Sequence, residues 1–212
     1  LNFEYGQEEI DYLKKKDKIL GEAIDQIGHI LREVDVDLFS SVIHHIIGQQ
    51  ISTKAQGTVW NRIQCLLGKV SPEAVCELSV KEMQGLGMTY KKAEYILDFS
   101  CKVHSGEFDI EALKYMDDSS AVKSLSSLRG IGEWTAEMIL LFSLERPDIL
   151  SYGDLAIHRG LRMLYHHRNV RKELFEKYKR RYAPYGSVAS LYLWAIAGGS
   201  IDGMRDYAPK KK

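Results

Sequence analysis

The chain has 212 residues, 45% hydrophobic and 27% charged, with 29 basic and 29 acidic side chains balancing to zero. These totals fit a soluble globular protein of one domain or two small lobes and exclude disordered and fibrous classes. No apolar run reaches the length of a membrane span, and zero net charge is not the footprint of a dedicated nucleic-acid-binding protein. The N-terminus has no basic region followed by an apolar stretch, which argues against a signal peptide. Cys65, Cys76 and Cys101 are odd in number and widely spaced. They form neither a metal-ligand pattern nor a disulfide framework, and a reducing cytosol suits them. The charge is unevenly spread. The first forty residues lean acidic, and the C-terminal third leans basic, through Arg159, Arg162, Arg168, Arg171, Lys172, Lys177, Lys179, Arg180, Arg181 and Lys210 to Lys212. A basic side of this kind can hold DNA, although for Lys172 to Arg181 a solvated helix face explains the charge at least as well.

In chain order, residues 7 to 34 read as helical, with Ile24, Ile27 and Leu31 at helical spacing. Asp37 to Ile47 is strongly apolar and stops at Gly48. Ser52 or Thr53 caps the next helix, which ends at Gly68. Ser71-Pro72-Glu73 starts a short helix with proline at its first position. Lys81 to Met88 holds a Gly-Leu-Gly, and a helix from Lys91 to His104 follows. Short helices cover Ile110 to Tyr115 and Ala121 to Leu128, and a longer one Trp134 to Leu144. Helical stretches at 155 to 166, 170 to 182 and 186 to 198 complete the chain. Almost no alternating strand pattern appears and no fixed-period repeat, so the fold is predicted all-α.

The most informative stretch runs from Leu128 to Arg162. It begins Leu128-Arg129-Gly130-Ile131-Gly132-Glu133-Trp134-Thr135-Ala136 and ends Gly153-Asp154-Leu155-Ala156-Ile157-His158-Arg159. Two glycines around one aliphatic residue, with a helix at once behind them, leave bare N–H groups where a phosphate can approach. Such a loop grips a nucleic-acid backbone without reading sequence. Asp154 follows at a fixed distance, before another helix. Taken alone, an aspartate there reads as a helix N-cap.

These residues resemble the helix-hairpin-helix and Gly/Pro-rich-loop DNA glycosylase superfamily, whose pattern is Leu-Pro-Gly-(Ile/Val)-Gly, two variable residues, Thr-Ala and an essential Asp about twenty residues on. Leu128, Gly130, Ile131, Gly132, Thr135, Ala136 and Asp154 match it. Arg129 replaces the proline, which predicts a less rigid turn. More narrowly, Ile46 to Ser52, Leu86-Gly87-Met88 through Lys92-Ala93-Glu94, and Pro184-Tyr185 through Trp194 resemble segments of the bacterial 3-methyladenine DNA glycosylase II group. The resemblance covers roughly residues 38 to 200. It implies an all-α fold of two helical lobes with a DNA-binding cleft between them, and without the β-rich N-terminal domain of some members. One lobe spans about 38–145, with the hairpin at 125–144, and the other 1–37 plus 146–212.

The resemblance further implies a monofunctional glycosylase of base excision repair. It would flip alkylated purines of the 3-methyladenine and 7-methylguanine type from duplex DNA and hydrolyse the N-glycosidic bond. Asp154 is the expected catalytic residue, stabilising positive charge on the sugar and activating water. Trp134 stands where strand-cleaving relatives carry the Schiff-base lysine, which it cannot replace. Trp134, Trp194, Tyr192 and Tyr185 are the base-pocket candidates, each Tyr reading better as a core or rim aromatic. Gly130, Ile131, Gly132 and Thr135 are expected to hold phosphate, with a monovalent cation on the hairpin carbonyls. Gln49, Gln50 and Ile51 lie on the loop that enters the duplex, with Gln50 or Ile51 as wedge. Lys91 and Lys92 are expected at the other strand, or on a solvated face. The adjacent pairs His44-His45 and His166-His167 are not metal sites. With no cysteine cluster, no iron–sulfur cofactor is expected. Partners and place follow as double-stranded DNA with a damaged base, a monomer, no membrane, and the bacterial cytoplasm at the nucleoid. Two other readings fit the residues: a non-catalytic helix-hairpin-helix DNA-binding module, and a glycosylase for another lesion class.

Overall fold

Apolar residues at helical spacing, cut by glycines and capping side chains, give an all-α chain. The computed structural model describes residues 1–35 and 37–209, and Lys210 to Lys212 of the basic C-terminus fall outside these described residues. Among the described residues there are twelve α-helices, one short 3-10 turn at Glu111–Tyr115, and a single isolated β-bridge between Asn2 and Glu33. No helix among them is long and apolar enough to cross a membrane. The chain divides into two units, one of residues 1–34 and 145–212, the other Asp35–Leu144.

The unit Asp35–Leu144 is built on α3 (Leu38–Gly48). Asp37 caps this helix by accepting from the Ser40 N–H at 3.3 Å. Leu38, Phe39, Val42, Ile43, Ile46 and Ile47 are all buried, so apolar side chains cover most of its circumference, as expected of a helix enclosed on several sides. It packs on α4 (Thr53–Leu67), α7 (Tyr90–Ser105) and α9 (Glu133–Ser143). Phe39 stacks on Phe99 of α7 with ring centroids 5.2 Å apart. The short α5 (Pro72–Cys76) and α6 (Val80–Gly85) lie along α7, and α8 (Asp118–Ser126) pairs with α9.

Against the expectation of unpaired thiols, Cys76 and Cys101 form a disulfide, with Cα atoms 5.1 Å apart. Spacing in sequence does not reveal the pair; the packing of α5 along α7 creates it. Cys65 is free and exposed.

The other unit holds α1 (Gln7–Lys16), α2 (Lys18–Ile27), α10 (Leu155–Tyr165), α11 (Lys172–Tyr182) and α12 (Gly186–Gly198). The stretch 7 to 34, which reads as helical, is thus two helices and a loop. Asp17 ends α1 and caps α2, its side chain accepting from the Leu20 N–H, and Gly28 at φ 76° stops α2. Leu31, carried by the periodicity, lies past that stop and is 73% exposed. Helices α10 and α12 pack together, and α12 lies hard against Gly160. A Cβ there would lie 2.3 Å from the Leu193 carbonyl oxygen, so only glycine fits.

Candidate active site

The hairpin between α8 and α9 is shaped by one glycine and one tyrosine. Gly130 has φ +84°, and a Cβ on it would lie 2.2 Å from the Tyr95 ring. Both facts demand glycine. Gly132 is different. Its φ is −91° and space around it is open, so any residue could take its backbone angles. Its contribution is the absent side chain, because it is the N-cap of α9 and supplies no acceptor to the first turn. The N–H groups of a first helical turn have no intrahelical acceptor, and the helix dipole adds partial positive charge. An anion is the complement of such an end. Ile131 and Thr135 are each 5% exposed. Both side chains therefore anchor the turn in the core, and the main-chain groups of the turn are what it offers to a phosphate. Arg129, where proline was expected, places its guanidinium over the Tyr95 ring, 5.5 Å from the centroid.

Two residues into α9, Trp134 is 43% exposed. A core role for this indole is therefore excluded. It lies in the first turn of α9, behind the Gly132 N-cap.

The loop after α3 belongs to the same unit. The Gln49 side chain donates to the Gly130 carbonyl at 2.8 Å, tying the loop to the hairpin. Gln50 is exposed at φ +58° and forms the tip of the turn, and the exposed Ile51 follows it. Lys91 is exposed at the start of α7. Lys92 is not a free surface charge: its ammonium donates to the carbonyls of Ile47 at 2.8 Å and Gln49 at 2.5 Å. Loss of water around it holds its pKa below the ordinary lysine value. In this structure Lys92 thus braces the end of α3.

Asp154 lies in the other unit and is 6% exposed. It is the N-cap of α10, and its Oδ1 accepts from the N–H of Ala156 at 2.8 Å and of Ile157 at 2.9 Å. The cap fixes the carboxylate at the head of the helix. The loop that delivers it is held by α12. The Ser187 hydroxyl accepts from the Ile149 N–H at 2.9 Å and donates to the Arg146 carbonyl, and Ser190 donates to the Ile149 carbonyl at 2.8 Å. His158, one turn into α10, donates from Nε2 to the Tyr152 carbonyl at 2.8 Å and stacks on Phe175. None of these supports is visible as a motif, since isolated serines and a histidine on helices have many other uses.

Trp194, half-buried on α12, follows the residue whose carbonyl meets Gly160. The two tyrosines occupy the core and rim positions that were their better reading. Tyr192 is fully buried, with its hydroxyl donating to the Gly28 carbonyl at 3.0 Å, so it is a core residue with its polar end satisfied. Tyr185 packs edge-on against Tyr12 and donates to Glu8 at 3.0 Å, which fastens it to α1. In the basic C-terminal third, Arg181 pairs with buried Asp17, and Arg162 forms a two-pronged pair with Asp206. Those two charges hold the fold together.

The model of the HhH-GPD superfamily of base excision DNA repair proteins matches residues 43–184. A solved structure of a DNA-3-methyladenine glycosidase from Bacillus halodurans is similar to this chain at a TM-score of 0.83 and 32% identity, covering 94% of this chain and 93% of that one. A Bacillus subtilis DNA-3-methyladenine glycosylase is 30% identical over 179 residues, 76% of this chain and 57% of its own length. DNA-3-methyladenine glycosylase 1 of Schizosaccharomyces pombe is 26% identical over 178 residues, 82% of this chain and 78% of its own. The chain thus spans less than two thirds of the Bacillus subtilis relatives it matches.

Proposed function

Because the chain belongs to the HhH-GPD superfamily of base excision DNA repair proteins, we propose that it is a DNA glycosylase for alkylated purines, releasing the base by hydrolysis. The observation that carries this reading is the pairing of a helix end without a side-chain cap and a partly exposed indole on α9, in a chain that also fixes a buried carboxylate at the head of α10. A phosphate grip alone requires neither the indole nor the carboxylate.

The chemistry follows from charge. Alkylation at N3 or N7 leaves a purine positively charged. Its attraction to an indole face contributes roughly 0.5–2 kcal/mol. Such a base is also a good leaving group, so cleavage of the C1′–N bond asks only for stabilisation of the positive charge growing on the sugar and for a water to attack it. A carboxylate held by two main-chain N–H groups is pre-positioned for both tasks. Gln50, at the exposed tip with φ +58°, is the wedge we favour over Ile51, filling the space left by the flipped base. With tryptophan in place of a lysine, no Schiff base forms at this position, and the product is an abasic site with the strand intact.

A monovalent cation at the hairpin would be held by main-chain carbonyls of residues 127–131. Those of Leu128 and Gly130 already accept one hydrogen bond each, and a carbonyl oxygen has a second lone pair. Such an ion would add positive charge beside a bound phosphate.

The test is single-turnover base release from duplex DNA carrying 3-methyladenine or 7-methylguanine, with borohydride present in a parallel reaction. The expected result is release by the wild type, collapse in Asp154→Asn with DNA binding retained, and no trapped adduct. DNA binding without release from any alkylated or deaminated duplex would leave a non-catalytic phosphate-gripping module as the better reading, and a trapped adduct would refute the monofunctional assignment.

A further inference from the structure

We infer that Lys92 is a positioning residue for the base-flipping step, acting through Gln50 and not through contact with DNA. The inference rests on the glycosylase reading and assigns this lysine its part in it. Helix α3 ends at Gly48, and its last carbonyls have no intrahelical donor. The Lys92 ammonium takes two carbonyls of this segment, Ile47 and Gln49, where the helix dipole is negative. The next residue is Gln50, in the left-handed conformation that a side-chain-bearing residue resists. Lys92 therefore fixes the peptide immediately before the tip.

The same helix face carries a second brace. Tyr95 lies three residues on, so it shares a face with Lys92. Its ring fills the space over Gly130, where any Cβ would collide. Gln49 closes the triangle by donating to the Gly130 carbonyl at 2.8 Å. Through Lys92, Tyr95 and Gln49 the wedge tip and the phosphate-binding hairpin become one rigid piece of the unit Asp35–Leu144. A phosphate held at the head of α9 then sets the position of Gln50 directly. Flipping a base costs unstacking energy, and only a tip that stays in place can offset that cost. Binding of undamaged duplex needs the hairpin alone.

Three measurements test this on the full chain. The first is single-turnover base release by wild type, Lys92→Met and Lys92→Arg. Loss of two charge-assisted hydrogen bonds predicts a roughly ten- to hundredfold slower release in Lys92→Met, with partial recovery in Lys92→Arg. The second is binding of undamaged duplex against salt, where Lys92→Met should match the wild type. Weaker binding with a salt slope smaller by about one would show a lysine–phosphate contact and overturn the inference. The third is a double-mutant cycle with Gln50→Ala. Lys92→Met should add little in that background, and full additivity would overturn the inference. If Lys92→Met does not fold, Lys92→Gln, which keeps a donor and loses the charge, is measured in its place with the same expectations of slower release, unchanged binding and non-additivity with Gln50→Ala. Wild-type activity with a normal Lys92→Met rate sinks this inference alone, whereas an inactive wild type removes the glycosylase reading and the inference with it.

Discussion

The proposed function gives the carboxylate of Asp154 a second job beside its helix cap, and two substitutions separate them. As N-cap its Oδ1 accepts from Ala156 and Ile157 at 2.8 and 2.9 Å. Asparagine keeps an acceptor oxygen in the same place and loses the negative charge. Alanine loses both. Removing an N-cap costs about 1 kcal/mol, within a range of roughly 0.5–2. In a chain of this length that lowers the melting temperature by about 2–4 °C. Removing one pre-positioned electrostatic group from a reacting centre slows the chemical step by roughly a hundred- to a thousandfold. The expected pattern is therefore asymmetric: Asp154→Asn melts near the wild type, Asp154→Ala melts a few degrees lower, and both lose base release alike. Thermal melts and single-turnover rates on the same preparations measure it. Base release surviving in Asp154→Asn would refute the catalytic assignment. An equal loss of stability in both variants would refute the capping geometry.

Gly160→Ala should destabilise the chain despite alanine's better helix propensity of about 1 kcal/mol, because the new Cβ meets the Leu193 carbonyl at 2.3 Å and overpacking costs roughly 1–3 kcal/mol; a variant that melts higher than wild type would refute the close approach of α10 and α12. Reduction of the Cys76–Cys101 bond, which closes a separation of 25 residues, should cost about 3.5 kcal/mol on the chain-entropy account. Urea midpoints with and without reductant measure this, and identical midpoints would contradict it. The pKa of His45 is pushed down to about 4, first by loss of water and then by His44, against an opposing pull from Asp35. The unfolded chain takes up a proton near pH 6.5 that the folded chain refuses, so stability falls as pH drops from about 6.5 through about 4, by on the order of 2 kcal/mol at pH 5. His45→Gln should flatten the dependence of the urea midpoint on pH over that range; an unchanged slope would remove His45 as its source.

Helix ends that carry their own chemistry were legible in the chain. Ser52, Ser71 and Asp154 cap the helices they precede, and Gly68 ends α4, because capping is a local contest between side chain and backbone. What depends on packing was not legible. Leu31 continues a helical spacing, yet Gly28 turns the chain away before it. Cys76 and Cys101 become partners only because α5 lies along α7. Lys91 and Lys92 differ by about 100° around one helix. That rotation alone decides which lysine faces solvent and which reaches the end of α3, and no property of either residue announces it. Tyr192 shows the same limit, because its helix is apolar around most of its circumference and periodicity cannot say which aromatic keeps an exposed face. Trp134 and Trp194 stood out through the resemblance, not through any spacing.

Arg129 shows how a departure from a family pattern can be absorbed. Proline at this turn would fix its own φ and stiffen the approach to Gly130. Arginine gives up that constraint, and on local grounds the hairpin should loosen. The structure supplies stiffness from another source. The Tyr95 ring lies against Gly130 on one side, where no Cβ fits, and beneath the Arg129 guanidinium at 5.5 Å on the other. An exposed cation over an aromatic face contributes about 0.5–1 kcal/mol, and the arginine adds positive charge next to a helix end already suited to anions. The rigidity of the turn thus shifts from a covalent ring within it to a side chain packed against it. Tyr95 then carries a burden that it would not have behind a proline, and it sits on the same face of α7 as Lys92. That one helix face therefore supports both the Gly130 turn, through Tyr95, and the Gln49–Gln50 turn, through Lys92.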